Sequence, residues 1–282
     1  PMTKDLEIDY EALRTFVDFQ IENGVDALLP CGTTGESATM SHEEHKKVIK
    51  VVVDQANGRV PVLAGTGSNS TREALELTKY AEDVGADAAL LICPYYNKPT
   101  QRGLINHFKI IAESVNIPIV LYNVPSRTGR NIEAETTIEL SKVPNIIGIK
   151  EASGNIDQIM RIIKNTENFS VISGDDSLTY VICTLGGTGV ISVASNIAPK
   201  LMSEFIKKLK EKNYEAALND HYKLYDLFKV LFIETNPGPA KEAAKIFKIA
   251  GISNWYLRPP LISPTPENSE KIKKVIEALN IY

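Results

Sequence analysis

The sequence predicts a (β/α)8 barrel that carries a C-terminal helical extension. Three observations point there. Short apolar runs bounded by turn residues recur along the 282 residues. Amphipathic stretches of helical period separate them. The strand-plus-helix repeat spans roughly 25–35 residues, the size of a βαβ unit.

The runs are VDALLP (25–30), VPVLAG (60–65), ADAALLI (86–92), PIVLYN (118–123), NIIGIK (145–150), FSVIS (169–173) and TGVISV (188–193). None alternates apolar with polar, so each reads as a strand buried on both faces of a parallel sheet. A helix over about 9–23 precedes the first run. In a barrel another strand belongs ahead of that helix, where the chain starts with Pro1 and Met2, so the first strand is expected to be missing. The stretch SHEEHKKVIKVVVDQA opens on Ser41, with Glu44 three residues on, the signature of a capping box. STREALELTKYAEDVG ends on Gly85, a helix-stop residue. Four more helices are expected at about 197–211, 214–232, 238–250 and 267–279. The expected division is a catalytic barrel over 1–195, then the last barrel helix and an extension over 196–282. A doubly wound open sheet is the rival architecture. Its first βα loop would carry GxGxxG for a dinucleotide, and GTTGES at 32–37 does not fit that pattern.

Composition narrows the function. Apolar residues make up 43% and charged residues 23%, with net charge −4. No basic stripe marks a nucleic-acid surface, and no apolar run reaches the ~18 residues of a membrane span. Cys31, Cys93 and Cys183 fit no zinc spacing and are expected to be reduced, in a cytoplasmic protein. His42, His45, His107 and His221 form no metal-binding pattern.

Chemistry in a barrel sits at the C-terminal ends of the strands. Lys150 ends NIIGIK. Desolvation there would lower its pKa and supply the neutral amine that attacks a carbonyl. The alternative is a lysine snorkelling to solvent. Tyr122 ends another strand, as a proton shuttle or as a buried tyrosine with one hydrogen-bond partner. Thr33 and Thr34 offer hydroxyls and N–H groups between glycines. Arg127 can hold a carboxylate through two parallel bonds, or stay solvated. Asp175–Asp176 reads as a helix cap rather than a magnesium site.

Taken together, GTTGESAT (32–39), GTGSNST (65–71), PYYNKPTQRGL (94–104), LYNVPSRTG (121–129), NIIGIKEASGN (145–155), SGDD (173–176) and GGTGVISV (186–193) resemble the dihydrodipicolinate synthase / N-acetylneuraminate lyase family, in order and in spacing. The resemblance implies that Lys150 forms a Schiff base with pyruvate. Tyr122 would relay protons, with Thr33 as its hydroxyl link and Tyr96 contributed by a neighbouring subunit. Thr33 and Thr34 would grip the pyruvate carboxylate. Arg127 would receive aspartate 4-semialdehyde, and Gly174 and Ile191 would give backbone contacts. It implies a lyase condensing pyruvate with L-aspartate 4-semialdehyde, towards diaminopimelate and lysine, without cofactor or metal. A homo-oligomer is expected, a dimer of dimers. A lysine effector would meet Ser37, Ala38, His42, His45, Asn69, Glu73 and Tyr95. N-acetylneuraminate lyase and 2-keto-3-deoxy-sugar-acid aldolases share most of these features. A non-catalytic amino-acid-binding barrel is a further alternative.

Overall fold

A computed structural model describes residues 1–282. In chain order it contains α1 (Tyr10–Glu22), α2 (His42–Ala56), β1 (Leu63–Gly65), α3 (Thr71–Asp83), β2 (Ala88–Ile92) and α4 (Gln101–Ala112). Next come β3 (Ile119–Asn123), α5 (Pro125–Thr128), α6 (Ala134–Leu140), β4 (Ile146–Glu151), α7 (Ile156–Lys164), β5 (Ser170–Ser173), α8 (Thr179–Thr184) and β6 (Gly189–Val190). The last four are α9 (Pro199–Lys210), α10 (Tyr214–Val230), α11 (Gly238–Ile246) and α12 (Pro266–Leu279). The chain divides into two units. One is Pro1–Pro61 with Ser192–Tyr282, and the other is Val62–Ile191.

The second unit holds the whole sheet. Its six strands are parallel and lie in the order β1-β2-β3-β4-β5-β6. Each strand neighbours the next one in sequence, through a helical crossover. A doubly wound sheet reverses its order at a switch point, and this sheet does not, so the open-sheet rival is set aside. Ile119, Leu121 and Ile149 are fully buried. Leu91 from β2, Phe108 and Ile111 from α4, and Ile159 from α7 are equally enclosed. Each such side chain contributes roughly 1.5–3 kcal/mol through removal from water.

Between β3 and β4 the register shifts. Ile119 pairs with Ile146, and then Val120 pairs with Gly148, so Ile147 is left opposite nothing. The bulge brings Tyr122 opposite Lys150 and Asn123 opposite Glu151. Gly148 is required there. A Cβ at that position would lie 2.6 Å from the Ser170 carbonyl oxygen of β5.

The first unit is helical. The Ser41–Glu44 capping box of α2 forms as expected. Glu44 N–H donates to Ser41 Oγ at 3.2 Å, and Ser41 N–H donates to Glu44 Oε2 at 2.8 Å. The four helices expected after the last strand form as α9 to α12, close to the expected spans. Two strand expectations are corrected. VDALLP is not a strand: Leu28 is a single bridge residue, its N–H donating to the Pro61 carbonyl at 2.9 Å. Pro30 and Pro61 have no N–H, so no ladder extends from that bond. TGVISV shrinks to Gly189–Val190, flanked by bonds from Thr188 N–H to Val171 and from Ile191 N–H to Ser173. At the chain start, Met2 makes isolated bridges to Ile8 and Trp255.

His107 on α4 is buried, and its Nδ1 lies 2.9 Å from the Thr71 hydroxyl at the start of α3. Its Nε2 has no partner. Burial pulls its pKa down to about 4. Burial makes the folded state disfavour the charged ring more than the unfolded chain does, so stability is unaffected by this group above the unfolded pKa near 6.5. Stability is lost as pH falls from there towards 4, by about 3 kcal/mol in full. Urea unfolding at pH 7.5 and pH 4.5 should therefore show a smaller acid loss for His107→Gln than for the wild type. An equal loss would remove His107 from the acid response.

Candidate active site

The strand ends of the second unit gather most of the expected site residues. Tyr122 and Lys150 are cross-strand neighbours at the C-terminal ends of β3 and β4. The Lys150 Nζ stands 4.3 Å from the Tyr122 ring centroid. Both side chains are buried. Successive strand residues point to opposite faces, so Asn123 and Glu151 point the other way, towards the helices.

Glu151 is completely buried. It accepts from Asn123 Nδ2 at 3.2 and 3.1 Å, from the Ser153 N–H at 2.7 Å and from Gln158 Nε2 at 3.0 Å. Asn131 links Asn123 and Gln158: it accepts from Asn123 Nδ2 at 2.8 Å and donates to Gln158 Oε1 at 2.7 Å. A buried carboxylate without such donors would cost several kcal/mol. Satisfied, it ties the ends of β3 and β4 to the start of α7, and so fixes the strands that carry Tyr122 and Lys150.

The Lys150 ammonium is held well below its ordinary pKa, at about 8. Desolvation is the main cause, and the Arg127 guanidinium adds to it. The buried Asp176 carboxylate works in the opposite direction and is outweighed. Asp175 caps the short turn that follows β5, its Oδ1 accepting from Ser177 N–H at 2.8 Å, as the sequence suggested. Gly174 leaves room for the lysine stem: a Cβ there would sit 3.1 Å from Lys150 Cε and 2.8 Å from Ala152 Cβ. Ile191 is tied to the end of β5 by its N–H bond to the Ser173 carbonyl, at 2.9 Å. Arg127 lies exposed on the four-residue α5. Lys150 is thus a buried amine of lowered basicity beside a phenol ring, and the snorkelling alternative fails.

Tyr96 differs from the rest. It is 90% exposed and takes a left-handed backbone, φ +70. An aromatic residue there is strained, and such strain concentrates at functional sites. Its loop is anchored by the Asn97 amide, which donates to the Asn69 carbonyl at 2.8 Å. Nearby, Glu73 accepts from the Ser68 hydroxyl at 2.8 Å, and Tyr95 is part exposed.

Thr33 and Thr34 belong to the first unit. Their loop is a tight turn, with Gly35 N–H donating to Gly32 and Glu36 N–H to Thr33, both at 3.1 Å. Thr34 Oγ1 accepts from Asn236 Nδ2 at 3.0 Å. Glu36, buried with φ +57, pairs with buried Lys241 and accepts from Arg258 N–H at 3.1 Å. Arg258 forks onto Glu44 at 2.8 and 2.6 Å. In the same unit His42 is exposed and His45 buried on α2, and Ser37 and Ala38 lie in the turn before it. The sequence reading missed Asn236, Glu151 and the Lys241–Glu36 pair. Asn236 carried one faint signal, a polar residue before proline in the stretch ETNPGP.

The three cysteines are free thiols, Cys31 and Cys93 buried. No helix is long and apolar enough to cross a membrane.

The dihydrodipicolinate synthetase family model matches residues 1–279. The 4-hydroxy-tetrahydrodipicolinate synthase of Syntrophotalea carbinolica is 51% identical over 282 residues, covering 100% of this chain and 95% of that protein. The crystal structure of dihydrodipicolinate synthase from Aquifex aeolicus matches with TM-score 0.96 at 49% identity, covering 99% of this chain and 95% of the other. The chloride-inhibited enzyme from Acinetobacter baumannii, complexed with pyruvate, matches at TM-score 0.96 and 43% identity, over 100% and 96% of the two chains. The enzyme from Cyanidioschyzon merolae with lysine bound matches at TM-score 0.94 and 39%, over 99% and 95%.

Competitive labelling with acetic anhydride, read by mass spectrometry at the Lys150 peptide, should show an inflection near pH 8. Asp176→Asn removes the opposing negative charge and should move the inflection to lower pH. Arg127→Ala removes a positive charge and should move it up. An inflection near the ordinary lysine value, unmoved by either change, would contradict the electrostatic description.

Proposed function

The chain belongs to the dihydrodipicolinate synthetase family, and from that premise we propose that it is a 4-hydroxy-tetrahydrodipicolinate synthase, condensing pyruvate with L-aspartate 4-semialdehyde. The observation that carries the reading is the buried Lys150 amine of lowered pKa against the Tyr122 ring. A protonated amine has no lone pair for a carbonyl. Here desolvation keeps part of the population neutral near neutral pH.

The steps follow from that amine. Lys150 Nζ attacks the keto carbon of pyruvate, and the carbinolamine loses water to give a protonated imine. The imine draws electrons from the methyl group, which loses a proton and becomes the nucleophilic carbon of an enamine. That carbon attacks the aldehyde of the semialdehyde, and the aldehyde oxygen takes up a proton. The substrate's own amine then adds to the imine carbon and displaces Lys150 as the ring closes. The protonated imine is itself the electron sink, so the sequence of steps calls for no cofactor. Tyr122 is the candidate proton carrier, because its ring is the neighbour of the reacting nitrogen. Motif assigns Thr33 as its hydroxyl link, and Thr33 with Thr34 to the pyruvate carboxylate. Arg127 takes the semialdehyde carboxylate, and Gly174 and Ile191 supply backbone contacts.

The architecture proposed with this function is a barrel of the (β/α)8 type over 1–195, with the last barrel helix and the C-terminal extension over 196–282. The sequential order of the six paired strands supports it. A cytoplasmic homo-oligomer, a dimer of dimers, is proposed too. The exposed Tyr96 ring suits a residue lent to a neighbouring subunit. The relative with lysine bound supports a lysine effector, and motif alone assigns it to Ser37, Ala38, His42, His45, Asn69, Glu73 and Tyr95.

Purified protein should consume pyruvate and the semialdehyde one to one and leave N-acetylneuraminate intact. Cleavage of the sugar acid, with no condensation, would hand the chain to the lyase branch of the family. Tyr122→Phe should remain folded and turn over roughly 10²–10⁴-fold more slowly, as when a general acid–base group is removed. Arg127→Ala should chiefly raise the KM for the semialdehyde. A change confined to the KM for pyruvate would give Arg127 to the other substrate.

A further inference from the structure

A threonine hydroxyl has one proton and two lone pairs, and its use depends on what its neighbours already supply. Thr34 Oγ1 accepts from Asn236 Nδ2 at 3.0 Å. No carbonyl or carboxylate of the protein takes the Thr34 proton. A hydroxyl that already accepts from an amide points its own hydrogen elsewhere. In the half-buried GTTG turn that proton is available to an acceptor that enters.

The donor is rigidly placed. Asn236 is buried just ahead of α11. Four residues into that helix's sequence, Lys241 is paired with Glu36, two residues beyond Thr34, and also donates to the Tyr256 carbonyl at 2.7 Å. The Arg258 backbone N–H also donates to Glu36, and its guanidinium holds the start of α2 through Glu44. The turn and the amide are therefore fixed to each other by a buried ion pair, so the Asn236–Thr34 bond does not depend on a mobile loop.

We propose that Asn236 is a positioning residue for carboxylate binding: by donating to Thr34 it commits the Thr34 hydroxyl proton to the carboxylate of the 2-oxo acid. The inference rests on the reading that the GTTG turn grips that carboxylate. It also explains why an amide serves here and a carboxylate would not. An aspartate at 236 could only accept, so it would capture the Thr34 proton and turn a lone pair and a negative charge towards the substrate.

Steady-state kinetics of wild type, Asn236→Ala, Asn236→Asp, Thr34→Val and the Asn236→Ala/Thr34→Val double variant test this. Asn236→Asp should raise the pyruvate KM on the order of 10- to 100-fold, the worth of a hydrogen bond to a charged group. Asn236→Ala should raise it less, because the freed hydroxyl still rotates to donate. Both should leave the semialdehyde KM close to wild type and change kcat far less than the pyruvate KM. In the Thr34→Val background Asn236→Ala should add nothing, since no hydroxyl is left to orient. Equal effects in both backgrounds, or a fall in kcat with the pyruvate KM unmoved, would reduce Asn236 to a structural residue. If Asn236→Asp does not fold, the alanine cycle decides alone. A wild-type chain that fails to turn over pyruvate with the semialdehyde would sink the underlying reading, and this inference with it.

Discussion

The register of β4 against β3 is the constraint on which the site depends. A slip of one residue would turn Lys150 from one face of the sheet to the other. Two features prevent it. The unpaired Ile147 advances β4 by one residue, and Gly148 makes that path possible by lying almost against the Ser170 carbonyl. At the far end the Glu151 carboxylate, with its three N–H donors, holds Asn123 and Gln158. Breaking that network would leave a buried carboxylate unsatisfied, so a slipped register carries a penalty well beyond one lost backbone bond. Between the bulge and the carboxylate, Lys150 and Tyr122 have a single place to be.

What makes the lysine chemically distinct is a contest among three effects. Burial disfavours the ammonium, Arg127 disfavours it further, and Asp176 favours it. Burial wins, and the pKa falls from 10.5 to about 8. At pH 7 this raises the neutral fraction on the order of 300-fold, enough to make nucleophilic attack practical. The chain's other buried lysine shows the contrasting solution. Lys241 also has its pKa lowered by burial, yet Glu36 sits against it and holds the charge. One buried amine is paired and structural. The other is left under-compensated at a strand end, where it can react.

Much of this was legible in the sequence because it is written in local chemistry. Ser41 and Glu44 three residues apart announce a cap whatever the fold around them, and Asp175 announces another. The runs around β2 to β5 are buried on both faces, and apolarity alone reveals that. Lys150 stands out because a charged residue ends such a run. Other features had no local signature. The bulge at Ile147 is a relation between two strands, invisible in either one alone. VDALLP has the composition of a strand, but its pairing ends at prolines that offer no donor. Asn236 and Thr34 are far apart in sequence and meet only through the fold, as do Lys241 and Glu36.

The central claim is that Lys150 is the residue that bonds covalently to the keto acid. Incubation with pyruvate and borohydride, followed by intact-mass and peptide mass spectrometry, tests it most directly. If Lys150 is the nucleophile, each chain gains one reduced pyruvyl group, on the Lys150 peptide alone, and the Lys150→Ala chain gains none. A pyruvyl group on another lysine, or no adduct on a folded protein, would contradict it.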